Sequence, residues 1–179
     1  MWGYEYDEQK KQQRKKTAVS MLIGLVMVGI AAWLASGYFS ISGPDRQLLS
    51  AARSGDLGEL YSALENGANP NVIGPNGRTP LHLAAWHGQR SAARALLSSG
   101  ANPNQTDDET GETPLHTAVR ANQPDMVVIL MSGGARSSAR ILFESAPDID
   151  GNRHPPGVTA RDMAERAGFD QVTRIFKGG

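Results

Sequence analysis

The sequence predicts an all-α repeat solenoid, built of helix-turn-helix units with projecting β-hairpin-like turns and preceded by one N-terminal transmembrane helix. Three observations predict it. An uncharged stretch runs from Thr17 to Pro44 directly behind a basic tail. The string NGANPN at Asn66 returns as SGANPN at Ser99, and TPLHLA at Thr79 returns as TPLHTA at Thr113, so marks recur at 33 and 34 residues. Between the marks, apolar residues fall on helical spacing in pairs of runs too short to bury themselves, which is the pattern of stacked units.

The first element is the tail at 1–17, with Glu5, Asp7 and Glu8 followed by Lys10, Lys11, Arg14, Lys15 and Lys16. The predicted span follows at 18–39, AVSMLIGLVMVGIAAWLASGYF. Its residues, at 1.5 Å each, reach roughly 33 Å, enough for a hydrocarbon core of about 30 Å. Trp33, Tyr38 and Phe39 gather near its C-terminal end, where amphipathic rings favour the interface. A cleaved secretory signal is the competing reading, with Ala35-Ser36-Gly37 as a small-residue cleavage site. The acidic residues of the tail and the length of the apolar run favour a retained anchor. The basic cluster before the span places the tail in the cytoplasm and everything after it across the membrane.

Composition narrows the rest. The chain has 179 residues, 18 Lys+Arg, 18 Asp+Glu and no Cys. Without cysteine there is no disulfide framework, Cys-ligated zinc or thiol nucleophile. The zero net charge divides into a tail of five basic and three acidic groups and a region at 45–179 of 13 basic and 15 acidic. No domain-wide basic excess points to nucleic acid.

After a linker at 40–44, the region 45–177 divides into about four units: 45–73, 74–107, 108–135 and 159–177, with a long insert at 136–158. In the second unit Leu81, Leu83, Ala84, Ala92, Ala95, Leu96 and Leu97 form two short helical runs parted by His87-Gly88-Gln89. Thr79-Pro80 reads as a helix N-cap with proline in the first turn, and Gly100 as the left-handed residue ending the second helix. These residues resemble the ankyrin repeat, whose T-P-L-H-x-A signature stands here twice at about the family's period. In the first unit the signature is missing, and in the fourth Ala160 and Asp162 replace Pro and His. Such departures suit terminal units.

The resemblance implies that Thr79, His82, Thr113 and His116 are structural turn residues, tying units together by hydrogen bonds. It also implies a protein partner on the concave face, lined by the projecting turns and by two exposed positions near the end of each first helix. On this sequence the helix positions are Arg53 and Ser54, Trp86 and His87, Arg120 and Ala121, and Arg166 and Ala167. Arginine and tryptophan are enriched in interface hot spots. The turns add Arg78 in the second and Asp108, Glu109 and Glu112, beside Asp107, in an acidic third, an opposition of charge that would orient a partner. The insert carries Ile141, Leu142 and Phe143, expected either to fold onto the array as a short amphipathic helix or to touch a partner. Asp148-Ile149-Asp150-Gly151-Asn152 reads as a turn, since a calcium loop needs a differently placed Gly and a closing Glu.

No nucleophile elbow, phosphate loop or metal-ligand spacing accompanies these residues, so no catalytic, cofactor or metal site is expected and the chain reads as non-enzymatic. The expected partners are a protein and, through the span, membrane lipid, with no nucleic acid or small-molecule substrate; oligomeric state stays open. Twelve Arg against one Lys in 45–179 hints at a GC-rich bacterial gene. The expected location is the inner membrane, single-pass, with a cytoplasmic N-terminus and a periplasmic array. The leading function is a membrane-anchored adaptor or scaffold; the alternatives are an inhibitor or immunity-type protein and a structural subunit of an envelope machine.

Overall fold

A computed structural model describes residues 41–145 and 147–178. The expected tail, the span and position 40 of the linker lie outside them, and the expected linker is shorter than 40–44 because Gly43 and Pro44 already belong to the first helix. Among the described residues no helix is long and apolar enough to cross a membrane.

Eight α-helices form four pairs among the described residues: α1 (Gly43–Ser54) with α2 (Leu57–Glu65), α3 (Pro80–Trp86) with α4 (Arg90–Ser98), α5 (Pro114–Arg120) with α6 (Pro124–Ser132), and α7 (Ala160–Ala167) with α8 (Asp170–Lys177). Each start has a local cause. Ser42 Oγ accepts the Asp45 N–H, and Asp56 Oδ1 accepts the Glu59 N–H. Thr79 and Thr113 stand in extended backbone before a first-turn proline, whose missing N–H costs nothing there. Thr159 does the same with Ala160, closing a reciprocal box: Asp162 N–H donates to Thr159 Oγ1 and Thr159 N–H to Asp162 Oδ2.

The first helices stack in order α1, α3, α5, α7, and α4, α6 and α8 stack behind them. Each helix is too short to be stable alone, so the apolar seam between units holds the array together. Leu48, Leu60, Leu81, Leu96, Leu115, Leu130, Met163 and Val172 form its continuous core. Asparagines join the loops behind it. Asn71 Nδ2 donates to the Gly100 carbonyl while its Oδ1 accepts the Asn102 N–H, and one period later Asn104 repeats this with Gly134 and Arg136.

The projecting fingers carry single backbone pairs instead of strands. Gly74 N–H meets the Arg78 carbonyl, and Asp107 N–H the Glu112 carbonyl. Gly77 has a positive φ of 71°, and a Cβ there would lie 2.2 Å from the Asp108 backbone nitrogen, so glycine lets the second and third fingers touch.

The insert departs from the helical expectation. It is a lengthened finger, paired at Arg140–Thr159, Ile141–Val158 and Ser145–His154 and turning at Asp148–Asn152. Ile141 is buried whereas Leu142 and Phe143 are exposed. Three consecutive apolar residues cannot share one helix face, and here Ile141 turns inward while the Leu142 and Phe143 N–H groups both donate to the Thr110 carbonyl and leave their side chains outside. Proline at 147, 155 and 156 further opposes a helix.

Candidate functional site

The two T-P-L-H turns use their polar groups internally. His82 Nδ1 accepts from the Thr79 N–H at 3.2 Å and lies 2.9 Å from its hydroxyl. An N–H donated to Nδ1 requires the tautomer with hydrogen on Nε2, which donates to the Glu112 carbonyl 3.1 Å away in the next unit. His116 repeats the arrangement on Thr113, with Nε2 at 3.1 Å from the Ala139 carbonyl of the long finger. Burial pushes both imidazoles down to about 4, with the carbonyl bonds only partly opposing it. Both rings are therefore neutral at pH 7.

Two predicted contact residues are corrected. Glu112 is 0% and Arg120 3% exposed, so neither is offered to a partner. Arg120 Nε lies 3.1 Å from Glu112 Oε2, its guanidinium sits 4.5 Å from the Trp86 ring centroid, and Nη1 donates to the Pro147 carbonyl. The Ile149 N–H closes over the Arg120 carbonyl. The long finger has therefore folded back across the third unit and taken the arginine that a regular array would display. Burial raises the Glu112 pKa, with the Arg120 charge opposing. Asp107 is buried too: its Oδ1 accepts from the Thr110 and Gly111 N–H groups and shapes the third finger.

Other predicted residues are brought together. Arg53, Arg78, Trp86 and His87 surround one recess of about 260 Å³, with Leu83 and the edge of His82. A larger recess of about 530 Å³ adjoins it through Arg53, Arg78 and Leu83, and adds Arg46, Leu49, Ser50, Pro75 and Ile41. Trp86 is half-buried because Arg120 covers one face of its ring. His87 is exposed, and both burial and the Arg53 charge lower its pKa. Asp108 and Glu109 are exposed on the third finger, with Glu109 3.9 Å from Arg78 at the rim. Arg166 is exposed on α7 and does not line either recess. The predicted column is thus interrupted at its third position and open over the first two units.

Ankyrin repeats in three copies match residues 48–150. The chain belongs to the ankyrin repeat family. It is 32% identical over 130 residues to human Cyclin-dependent kinase inhibitor 2A, covering 73% of this chain and 74% of the relative. With human Cyclin-dependent kinase 4 inhibitor B it is 36% identical over 111 residues, 62% of this chain and 80% of the relative. A match to E3 ubiquitin-protein ligase KEG of Arabidopsis thaliana, 40% identical over 96 residues, covers 52% of this chain but only 6% of that protein. Ankyrin repeats imply protein–protein interaction, so a protein is the class of partner.

Sequence reading missed two sets of residues. Asn71 and Asn104 bridge ankyrin units, and their period of 33 was the available signal. Arg46 and Leu49 line the larger recess, and the spacing of Arg46, Leu49 and Arg53 along one helix face was legible once α1 was recognised.

Proposed function

We propose that this protein is a membrane-anchored adaptor whose ankyrin array captures a protein partner on the open inner-helix face of its first two units. The observation that carries the reading is the contrast within that face. At the third unit Glu112 and Arg120 are buried against each other beneath the long finger, whereas Arg53, Arg78, Trp86 and His87 surround accessible recesses. The apolar stretch at 18–39 is the proposed anchor, with the basic tail cytoplasmic and the array on the extracytoplasmic side of an inner membrane. Tethering would raise the partner's local concentration at the bilayer.

A photo-crosslinking amino acid at exposed position 87, with position 94 on α4 as control, tests this in intact cells. The expected result is a discrete adduct at 87 and none at 94. Adducts at 94 alone would move the binding face to the second helices.

A second reading, an enzyme-blocking inhibitor, is favoured by the relatives of comparable length, which are named as inhibitors and of which the chain covers 74% and 80%. The activity of the crosslinked partner separates the two. An enzyme silenced in the complex supports inhibition, and several active clients support the adaptor.

A further inference from the structure

The larger recess has a chemistry of its own. Arg46 and Arg53 stand seven residues apart on α1, so their Cα atoms are separated by about 10 Å along the axis on one face. Arg78 enters from the second finger, and its Nε is buried with no hydrogen-bond partner. Among the described residues Arg46 and Arg53 have no carboxylate within ion-pair distance, while Arg78 has only Glu109, at 3.9 Å on the rim. Leu49, Leu83, Pro75 and Ile41 line the same recess.

Three cations around an apolar floor call for an occupant with separated anions and an apolar side chain between them. One phosphate cannot span about 10 Å, but residues three apart in an extended polyproline II segment can, since three residues per turn at about 3.1 Å each bring both to one side. Guanidinium groups match carboxylates through paired N–H donors. The closed third unit ends the groove near Trp86, and Asp108 and Glu109 on the third finger repel carboxylates from that end.

We propose that this groove binds an extended segment of the partner protein carrying two carboxylates three residues apart with an apolar side chain between them, the carboxylates lying along α1. The assignment rests on the inner-face reading above and gives that face its ligand chemistry.

The test uses the full chain in detergent micelles, against which a phage-displayed library of random peptides about 12 residues long is selected. Enrichment of Asp or Glu at a spacing of three around Leu, Ile, Val or Phe is expected, with affinity reduced at least about tenfold by Arg53→Glu or Arg46→Glu. A tenfold loss corresponds to about 1.4 kcal/mol. Both variants lie on the exposed side of α1, and a carboxylate at 46 is compatible with the helix N-terminus. Exchanging for Lys only the peptide carboxylate that meets position 53 should restore binding to Arg53→Glu.

Selected peptides that lack carboxylates yet crosslink at position 87 would overturn the acidic ligand while leaving the inner-face reading intact. Failure to enrich any sequence, or peptides that neither crosslink at 87 nor respond to Arg53→Glu, would overturn both. The chain is also placed in nanodiscs of phosphatidylglycerol or phosphatidylcholine without peptide. If phosphatidylglycerol alone shields Arg46 and Arg53 from phenylglyoxal, the occupant is a lipid surface and the peptide assignment falls.

Discussion

At Arg120 a side chain that looks like a recognition residue is part of the interior. A buried ion pair gains little over a well-packed apolar pair, but removing one partner strands the other charge at a cost of about 3–5 kcal/mol. Arg120→Ala should therefore lower unfolding stability by about that amount in urea titration, and Glu112→Leu combined with Arg120→Met should recover most of it. Retained stability in Arg120→Ala would show that Glu112 does not need its partner. The neutral histidines give a second test. His82 and His116 have folded values near 4 against an ordinary 6.5, so their contribution is present above 6.5 and lost as pH falls toward 4. By about pH 5 each should have lost roughly 2 kcal/mol. Glu112, raised by burial, acts in the opposite sense, but it is one group against two. Denaturant midpoints measured from pH 7.5 to 5 should fall, and a midpoint independent of pH would contradict the buried neutral tautomers.

At the scale of elements, the long finger decides how much of the array remains open. Its hold on the array is Ile141, 2% exposed beneath Val158 and the third unit. Ile141→Ala should cost about 2–5 kcal/mol if the cavity stays open. It should also speed amide exchange at Ile149, whose N–H closes over Arg120. Stability lost without faster exchange there would uncouple the finger's root from its tip. The same finger explains which parts were legible in advance. Thr79-Pro80 and Thr113-Pro114 announce helix starts through local capping chemistry, and α3 and α5 do begin at those prolines. Arg53, Trp86 and His87 could be placed by family resemblance because each follows from its own repeat. The burial of Arg120 could not, because it depends on Pro147 and Ile149, about 27 residues later, returning across the third unit. Pairings of that range leave no periodic trace, and the Ile141-Leu142-Phe143 trio reads as a short helix on the array or as a partner contact until its pairing with Val158 is known.

For the whole molecule, the proposed function depends on which side of a membrane the array occupies. Positive charge resists translocation, so Lys10, Lys11, Arg14, Lys15 and Lys16 before the stretch at 18–39 should hold the N-terminus in the cytoplasm. A chain without native cysteine makes this directly measurable, since any introduced thiol is the only one. Ser137→Cys places that thiol on an exposed turn between the third unit and the long finger, away from both recesses. Glu8→Cys places it in the tail. In intact spheroplasts a membrane-impermeant maleimide should label the thiol at 137 and leave the one at 8 unreacted until detergent is added. The reverse pattern would put the array in the cytoplasm, and labelling of 137 only after release of the protein into the medium would indicate cleavage of the span. The first result would invert the orientation and keep the tether, the second would remove the tether, and both would leave the groove between Arg46, Arg53 and Arg78 unchanged. The proposed location and the proposed binding chemistry are therefore tested separately, one at the first 39 residues and the other at the first two ankyrin units.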